Sequence, residues 1–182
     1  GLTATDAQAA IDEIVSTASG GSTFIRWGNK NAPTGTTKLY DGIAMAPSDG
    51  KIFVMKGGDP GSSHSVAEYV QFVGTGNSSG DVPSGITIQK RIVACVCYSS
   101  KPTAVLWGTH TAPTGWSILY KGYMLSNGTD VICVDSDNFD ATAANSGSET
   151  TRVMRQPRFS NTHDSTNYPT SRNIKACVVQ KN

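Results

Sequence analysis

A sixteen-residue stretch occurs twice in this chain and constrains its fold more than any other feature. Residues 27–42 read WGNKNAPTGTTKLYDG and residues 107–122 read WGTHTAPTGWSILYKG, with nine of the sixteen positions identical. The likeness continues downstream, where KIFVMK matches DVICVD and RIVACV matches NIKACV. Two copies are too few for a solenoid, which needs three or more units to bury a shared core. The repeat therefore predicts a pseudo-symmetric pair of β subdomains, residues 22–99 and 100–182.

Each repeat has the pattern of short β-strands joined by a turn. The runs TFIRW and TAVLW are rich in β-branched and aromatic residues, and TKLYDGIAM and SILYKGYML follow them. Between these runs, APTG combines a proline that fixes φ with a glycine that permits positive φ, which predicts a turn. A central glycine in the second strand, Gly42 or Gly122, predicts a bulge or bend. With about ten such runs and no long helical period, the predicted fold class is mainly β, with two antiparallel, sandwich-like subdomains.

The aromatic residues divide into repeated and unrepeated ones. Trp27 and Trp107 occupy the same place in the two repeats. A large aromatic residue that both units require is typical of core packing, so we expect both tryptophans to be core residues of equivalent subdomains. Trp116 and Tyr123 have no aromatic counterpart. Because aromatic faces can stack on sugars, these two residues are surface candidates for binding a glycan.

Residues 1–21 differ from the rest, because they have the pattern of a short helix. TDAQ at residues 5–8 has the form of a capping box, and STASGG ends the pattern. A narrow apolar stripe lies between them, made by Ala7, Ala10, Ile11 and Ile14. A helix of about three turns is marginal alone in water, so the stripe needs a partner. We interpret residues 1–21 as a helical stem segment that packs either on the β domain or against copies of itself in a short coiled coil.

Charge and composition exclude several classes of partner. The formal net charge is +1 and 16% of the residues are charged, so no strong field attracts nucleic acid or an anionic membrane surface. No apolar run approaches the roughly 20 residues that a membrane-spanning helix needs. The cysteines lack the density of a disulfide scaffold, and the CxC motif has no His or Cys partner nearby to indicate zinc. We expect no nucleic acid, no membrane insertion and no cofactor. We interpret Cys95 and Cys97 as small buried residues, and we expect mostly free, slowly reacting thiols at Cys95, Cys133 and Cys177.

Candidate catalytic and metal-binding patterns are weak. The chain has no G-x-S-x-G motif, and its histidines, His64, His110 and His163, all lie in polar stretches. The pair His163-Asp164 is adjacent in a loop, and such neighbours rarely form a catalytic unit. Residues 135–140, DSDNFD, alternate oxygen ligands as calcium loops do, but the glycine at the sixth place and the glutamate at the twelfth are missing. We therefore favour a plain Asp-rich turn over a calcium site, assign no metal, and expect no enzymatic activity.

Two long polar stretches occupy corresponding places in the repeats, Gly57–Gly85 and Asp135–Asn173. Connections of that length in a compact domain are usually functional or disordered. The repeats differ most here, as expected when a rigid scaffold carries a variable recognition surface; the alternative is that these loops contact only neighbouring protomers. Residues that combine aromatic faces with hydrogen-bond donors make up the predicted ligand-binding set: Trp116, Arg158, Phe159, His163 and Tyr168.

Two resemblances to known families follow from these motifs. GLTATDAQAAIDEIV resembles the LTA-x-x-x-QAAIDEL segments in the shafts of bacteriophage tail and head fibres. FIRWGNKNAPTGTTKLYDGIAM, APTGWSILYKGYML, VICVDSDNF and ACVVQ resemble, in order, motifs of the non-collagenous C-terminal domain of invertebrate short-chain collagens. That family's Cys-Pro becomes Ala32-Pro33 and Ala112-Pro113 here, and its final cysteine becomes Val179. The loss of half the family's cysteines fits a virion component assembled inside a cell better than secreted matrix.

Both resemblances imply trimeric fibres. They suggest the distal, homotrimeric globular domain of a phage fibre, at the fibre tip of a virion, which binds a host cell-surface polysaccharide or protein. The resemblance to fibre shafts then assigns trimerisation to the apolar stripe of residues 7–14. The alternative is an extracellular, structural trimerisation domain that registers a collagen-like or fibrous stem and binds no ligand of its own. Gly-X-Y repeats upstream would favour the collagen-like stem, and further QAAID segments would favour the phage fibre.

Overall fold

The computed structural model describes residues 20–47, 51–57, 70–76, 80–142, 152–157 and 173–182. These residues form strands and turns and contain no helix. The predicted helical stem, with its stripe at Ala7, Ala10, Ile11 and Ile14, falls on residues that lie outside this description. The strands are β1 (Ser22–Trp27), β2 (Thr37–Pro47), β3 (Phe53–Met55), β4 (Val70–Thr75), β5 (Val93–Ser99), β6 (Thr103–Trp107), β7 (Trp116–Ser126), β8 (Val131–Asp135), β9 (Arg152–Met154) and β10 (Lys175–Lys181).

The two repeats have the same strand order. The first repeat is arranged β1-β5-β2-β3 and the second β6-β10-β7-β8, with antiparallel pairing throughout each. The predicted mainly β, pseudo-repeated fold is therefore confirmed. The two units are not separate sandwiches, however, because β8 of the second repeat lies parallel to β1 of the first, with Trp27 opposite Val134. This contact, which we call the inner junction, and the parallel pairing of β4 with β9 join the repeats into one curled sheet.

The two APTG turns have the same geometry, as their identical sequences predict. The Thr36 amide donates to the carbonyl oxygen of Pro33 at 3.1 Å, and the Trp116 amide donates to that of Pro113 at 3.0 Å. The closing glycines have positive φ values, 82° at Gly35 and 80° at Gly115, which favour glycine over residues with a side chain. The repeated sequence therefore encodes a repeated backbone conformation.

The central glycines of β2 and β7 do not form the bulge that the sequence suggested. The bulges lie three residues earlier, where Leu39 and Leu119 are skipped in the pairing with β5 and β10. Gly42 and Gly122 are needed for another reason, since a Cβ atom at either place would collide with a carbonyl oxygen of the neighbouring strand, β3 or β8. Close backbone approach, rather than an extra residue, explains both glycines.

The core confirms one of the two predicted core tryptophans and contradicts the other. Trp27 is 8% exposed and belongs to a buried cluster that draws Val54 from the first repeat and Leu125 and Val134 from the second. Trp107 is 42% exposed, so its prediction as a core residue is wrong for this chain. The physical reason is its strand, because β8 covers β1 whereas β6 pairs only with β10 in the described part of the sheet.

Candidate assembly interface

The inner junction contains a buried ion pair. Arg26 on β1 donates from Nε at 2.8 Å and from Nη2 at 2.5 Å to Oδ2 of Asp135, the last residue of β8. The other carboxylate oxygen accepts the backbone amides of Asp137 and Asn138, both at 3.0 Å. Arg26 is 7% exposed and Asp135 is fully buried. Each charge therefore depends on the other, since a buried ion without its partner is strongly disfavoured.

The DSDNFD stretch is a turn held by its own side chains. Asp135 fixes its first half through the two amides, and Asp140 accepts the amide of Thr142 at 3.0 Å. The stretch therefore forms the Asp-rich turn that the sequence favoured, while the assignment of no metal stays a prediction. Among the residues that the structure describes, no three His, Cys, Asp or Glu side chains come together in a way that could hold a metal ion.

The buried side chain of Tyr120 contacts both strands of the inner junction. The hydroxyl of Tyr120 lies 3.0 Å from the carbonyl oxygen of Ile25 on β1 and 3.2 Å from that of Cys133 on β8. Its single proton can be donated to either oxygen. Burial raises the pKa of Tyr120 well above its ordinary value, so the hydroxyl keeps its proton and remains a donor across the junction.

An apolar groove opens beside the inner junction, and Tyr120 is one of the residues that line it. The groove encloses about 770 Å³, and residues of β1, β3, β6 and the start of β8 supply much of its wall. In the described sheet, β3 pairs only with β2 and β6 only with β10, so both are edge strands. Exposed apolar residues line these edges: Phe53, Met55, Val105 and Trp107. Exposed apolar groups clustered on sheet edges mark an interaction surface.

The chain enters the sheet at the end that we call the N-terminal end. There the Ser22 hydroxyl lies 2.9 Å from the carbonyl oxygen of Lys101 and 2.8 Å from the hydroxyl of Thr103. The opposite, distal end carries the backbone pair between Ser126 and Arg155 and the start of β10, which follows Asn173. Both flanks of the connection 158–172 therefore lie at the distal end.

The predicted ligand-binding residues do not all belong to one end. Trp116 is half-buried at the start of β7, where it pairs with Lys181 at the N-terminal end. The other four fall outside the described residues: Arg158, Phe159, His163 and Tyr168. The connection that holds these four joins the sheet at the distal end, so the structure separates Trp116 from the flanks of that connection.

His110 and Tyr123 have a structural role in the second repeat. The Nε2 atom of His110 lies 2.6 Å from the carbonyl oxygen of Gly122. Its ring makes an edge contact with the ring of Tyr123, with 5.3 Å between the centroids. Tyr123, a surface candidate in the sequence, is half-buried. The imidazole therefore anchors the loop after β6 to β7.

The four cysteines are free and buried, which confirms the free thiols predicted at Cys95, Cys133 and Cys177. The sulfur atoms of Cys95 and Cys97 lie 3.0 Å apart on one face of β5. Burial raises the pKa of all four thiols, and it raises the pKa of Cys133 to about 12. A thiol that is buried and protonated is a poor nucleophile, because the thiolate is the reactive form.

We expect all four thiols to react slowly in the folded chain and quickly after unfolding. The raised pKa values also predict the pH dependence of stability. The folded state holds the Cys133 proton more tightly than the unfolded state, so this contribution is complete below the ordinary pKa of 9.0 and is lost as the pH rises toward about 12. Thiol titration with and without denaturant, and urea unfolding at pH 7 and pH 10.5, measure both effects. Rapid labelling of the native chain, or equal stability at the two pH values, would contradict them.

Sequence reasoning missed the ion pair of the inner junction for an identifiable reason. Arg26 and Asp135 lie 109 residues apart, and their repeat counterparts are Leu106 and Lys56. The corresponding positions of the other repeat therefore hold no ion pair, and comparing the repeats does not reveal it. Both partners differ between the repeats, but so do many other positions, so the sequence carries no signal specific to this pair.

Comparisons with known proteins do not add a family. No profile of a known protein family matches the chain, and a search of curated proteins finds no match. Within the part of the chain that the structure describes, no helix is long and apolar enough to cross a membrane. Function is therefore inferred from the geometry of the molecule and from the sequence motifs.

Proposed function

We propose that this chain is the distal domain of a homotrimeric phage fibre and binds a host-surface polysaccharide or protein without enzymatic activity. One observation carries this proposal: the chain enters the sheet at its N-terminal end, while the connection 158–172 joins it at the distal end. A domain that follows a stem at one end leaves its other end for a target. The likeness of residues 1–15 to fibre-shaft segments supports the same arrangement.

The division between framework and connections supports recognition at the distal end. The strands of the two repeats share one order, and their APTG turns share one geometry. The polar connections between the strands have diverged in sequence. Rigid scaffolds with variable loops are the usual arrangement of recognition domains. Three copies on one fibre tip bind by avidity, so the affinity of a single site can be weak.

The apolar groove and the exposed edges favour a second function, the structural one. A domain that only assembles a fibrous or collagen-like stem, in an extracellular setting, needs a self-complementary apolar surface and no receptor site. Exposed Phe53, Met55, Val105 and Trp107 fit that requirement. The two functions are compatible, because a fibre tip must assemble before it can bind.

The test of receptor binding compares substitutions in the connection 158–172 with one at the N-terminal end of the sheet. We expect the double variant Phe159→Ala with Tyr168→Ala to lose most cell binding, at least about tenfold, because aromatic anchors dominate interfaces. Fluorescently labelled protein, applied to a panel of bacterial cells and to a glycan array, measures the loss. Light scattering on the same samples should still give the mass of a trimer.

Trp116→Ala distinguishes the two ends, because this aromatic residue lies at the N-terminal end. If Trp116→Ala abolishes binding and the double variant does not, the distal end is not the receptor site. If no cell type or glycan binds the parent protein while the trimer forms, the purely structural function is the better one. A monomer mass at micromolar concentration would contradict the trimer itself.

A further inference from the structure

The free edge strands β3 and β6 are the repeat counterparts of the two strands that meet at the inner junction. β3 corresponds to β8, and β6 corresponds to β1. We propose that β6 of one copy lies parallel to β3 of the next copy, so that the contact between copies repeats the contact that each chain makes within itself. The number of copies in the resulting ring rests on the proposed homotrimer, but the pairing does not.

The strand registers establish which residues correspond. Val134 on β8 pairs with Tyr123, and Met55 on β3 pairs with Ile43, which is the repeat counterpart of Tyr123. The central glycine that both repeats share faces the carbonyl oxygen of the same two residues, Met55 and Val134. Met55 therefore stands where Val134 stands, and Trp107 stands where Trp27 stands.

Burial differs sharply between the counterparts. The residues of the inner junction are buried, and their counterparts at the free edges are exposed. Trp27 is 8% exposed and Trp107 is 42% exposed, while Val134 is fully buried and Met55 is 41% exposed. The same holds for buried Ile132 against exposed Phe53, and for partly buried Ile25 against exposed Val105. The edges have kept large apolar side chains that stay about two-fifths exposed in the described part of the chain. A copy of β6 placed beside β3 would cover all four, as β1 and β8 cover each other.

A tyrosine hydroxyl gives independent support. Tyr120 lies between the carbonyl oxygens of Cys133 on its own repeat and Ile25 across the junction. Its counterpart Tyr40 is half-buried, and its hydroxyl lies 3.4 Å from the carbonyl oxygen of Val54, the counterpart of Cys133. The counterpart of Ile25 is Val105 on β6. In the proposed pairing, the carbonyl oxygen of Val105 from the next copy takes the second place beside Tyr40.

The charged residues are compatible with an apolar contact between copies. At the inner junction Arg26 and Asp135 neutralise each other, but their counterparts are Leu106 and Lys56. Leu106 brings no charge into the contact. Lys56 follows the end of β3, where it is exposed and can keep its ammonium group in water. The pairing therefore buries no unpaired charge.

The proposal includes closure into a ring, because a head-to-tail contact that does not close forms a filament. The first strands of the two repeats already lie side by side at the N-terminal end, where Ser22 contacts Thr103. Repeating this neighbour relation between copies places β1 and β6 strands alternately around one axis. The N-terminal segments of the copies then enter together near that axis, which suits a common stem.

Cross-linking across the proposed contact tests it directly. The variants are Met55→Cys and Trp107→Cys, because Trp27 lies opposite Val134 at the inner junction. Native thiols give little background, since all four are buried. We expect no covalent species from either single variant, heterodimers after the two are refolded together and oxidised, and a covalent species of three chains from the double variant. Size-tagged versions of the two chains show that each heterodimer contains one of each.

A second pair of variants and a control make the result decisive. Phe53→Cys with Val105→Cys lies two residues earlier on each strand and should cross-link in the same way, which covers the case that Trp107→Cys does not fold. Leu39→Cys with Trp107→Cys is the matched control, because Leu39 is also exposed but lies on the bulge of β2. This control should remain uncross-linked.

Several outcomes would overturn the pairing. These are cross-links within a single chain, equal cross-linking of each single variant with itself, or a trimer by light scattering in which neither pair cross-links. A monomer at all concentrations would overturn both the pairing and the trimer. Cross-linked rings that bind no cell or glycan would leave the pairing standing and contradict only the receptor function. Rings of another size would support the pairing and contradict the homotrimer.

Discussion

Trp27→Ala is expected to destabilise the folded chain by about 3–5 kcal/mol, whereas Trp107→Ala is expected to cost the single chain about 1 kcal/mol. The two residues occupy the same place in the repeat, yet Trp27 is buried at the inner junction and Trp107 is exposed on an edge. Removing a large buried side chain loses its transfer energy and leaves a cavity. Removing an exposed side chain loses less transfer energy, unless another copy of the chain covers that side chain.

Protein concentration separates the two effects. Urea unfolding followed by circular dichroism should show a loss for Trp27→Ala that changes little with concentration. For Trp107→Ala the loss should grow as the concentration rises, because the parent then gains stability from assembly and the variant does not. Phe at either position is the control for simple loss of volume. Equal, concentration-independent losses at both positions would show that Trp107 is a core residue after all and that β6 is not an assembly edge.

The sequence repeat predicted the strands and turns within each unit correctly, but it failed for the burial of a residue, which depends on the adjacent strands. The strand runs, the APTG turns and the mainly β fold follow from side-chain pattern and turn chemistry within each unit. The error at Trp107 has a different origin, since a repeat encodes the same strand twice but not the same surroundings. Two copies in a row bring β8 beside β1 and β4 beside β9, but no strand of the other repeat pairs with β3 or β6 in the described part of the sheet. The exposure of β3 and β6 follows from these missing neighbours, and not from any property of the two strands themselves.

The central glycines and the ion pair were misread or missed for physical reasons of the same kind. Gly42 and Gly122 suggested a bulge, because glycine in a strand has several uses and the sequence does not say which neighbour approaches it. Arg26 and Asp135 each look like ordinary polar residues at a strand end. Only the topology brings them together, and no spacing rule spans 109 residues. Most of the predicted ligand-binding residues lie in polar connections. The sequence of such a connection shows which residue types it contains, but not which residues they contact.

Breaking the buried ion pair is expected to have the other large effect. Arg26→Leu alone should destabilise the chain by about 3–5 kcal/mol, because it leaves the Asp135 carboxylate buried with only two amide donors. Leucine is the informative substitute, since the chain itself places Leu106 at the corresponding position of the second repeat. Urea unfolding at a fixed protein concentration measures the loss. The exposed pair of Lys38 and Asp41 is the control, and Lys38→Met should have little effect, because solvent screens that pair.

Adding Asp135→Asn to Arg26→Leu should restore most of the lost stability. Asparagine keeps an oxygen that can accept the amides of Asp137 and Asn138, so the turn survives while the unpaired charge is removed. A buried ion pair can often be replaced by uncharged groups at little net cost, whereas removal of one partner is costly. The double-mutant cycle should therefore show strong coupling, on the order of 2–3 kcal/mol between the two sites. Additive losses would mean that each residue acts through separate contacts. In that case the ion pair does not hold the inner junction together, and the apolar residues around Trp27 and Tyr120 must do so alone.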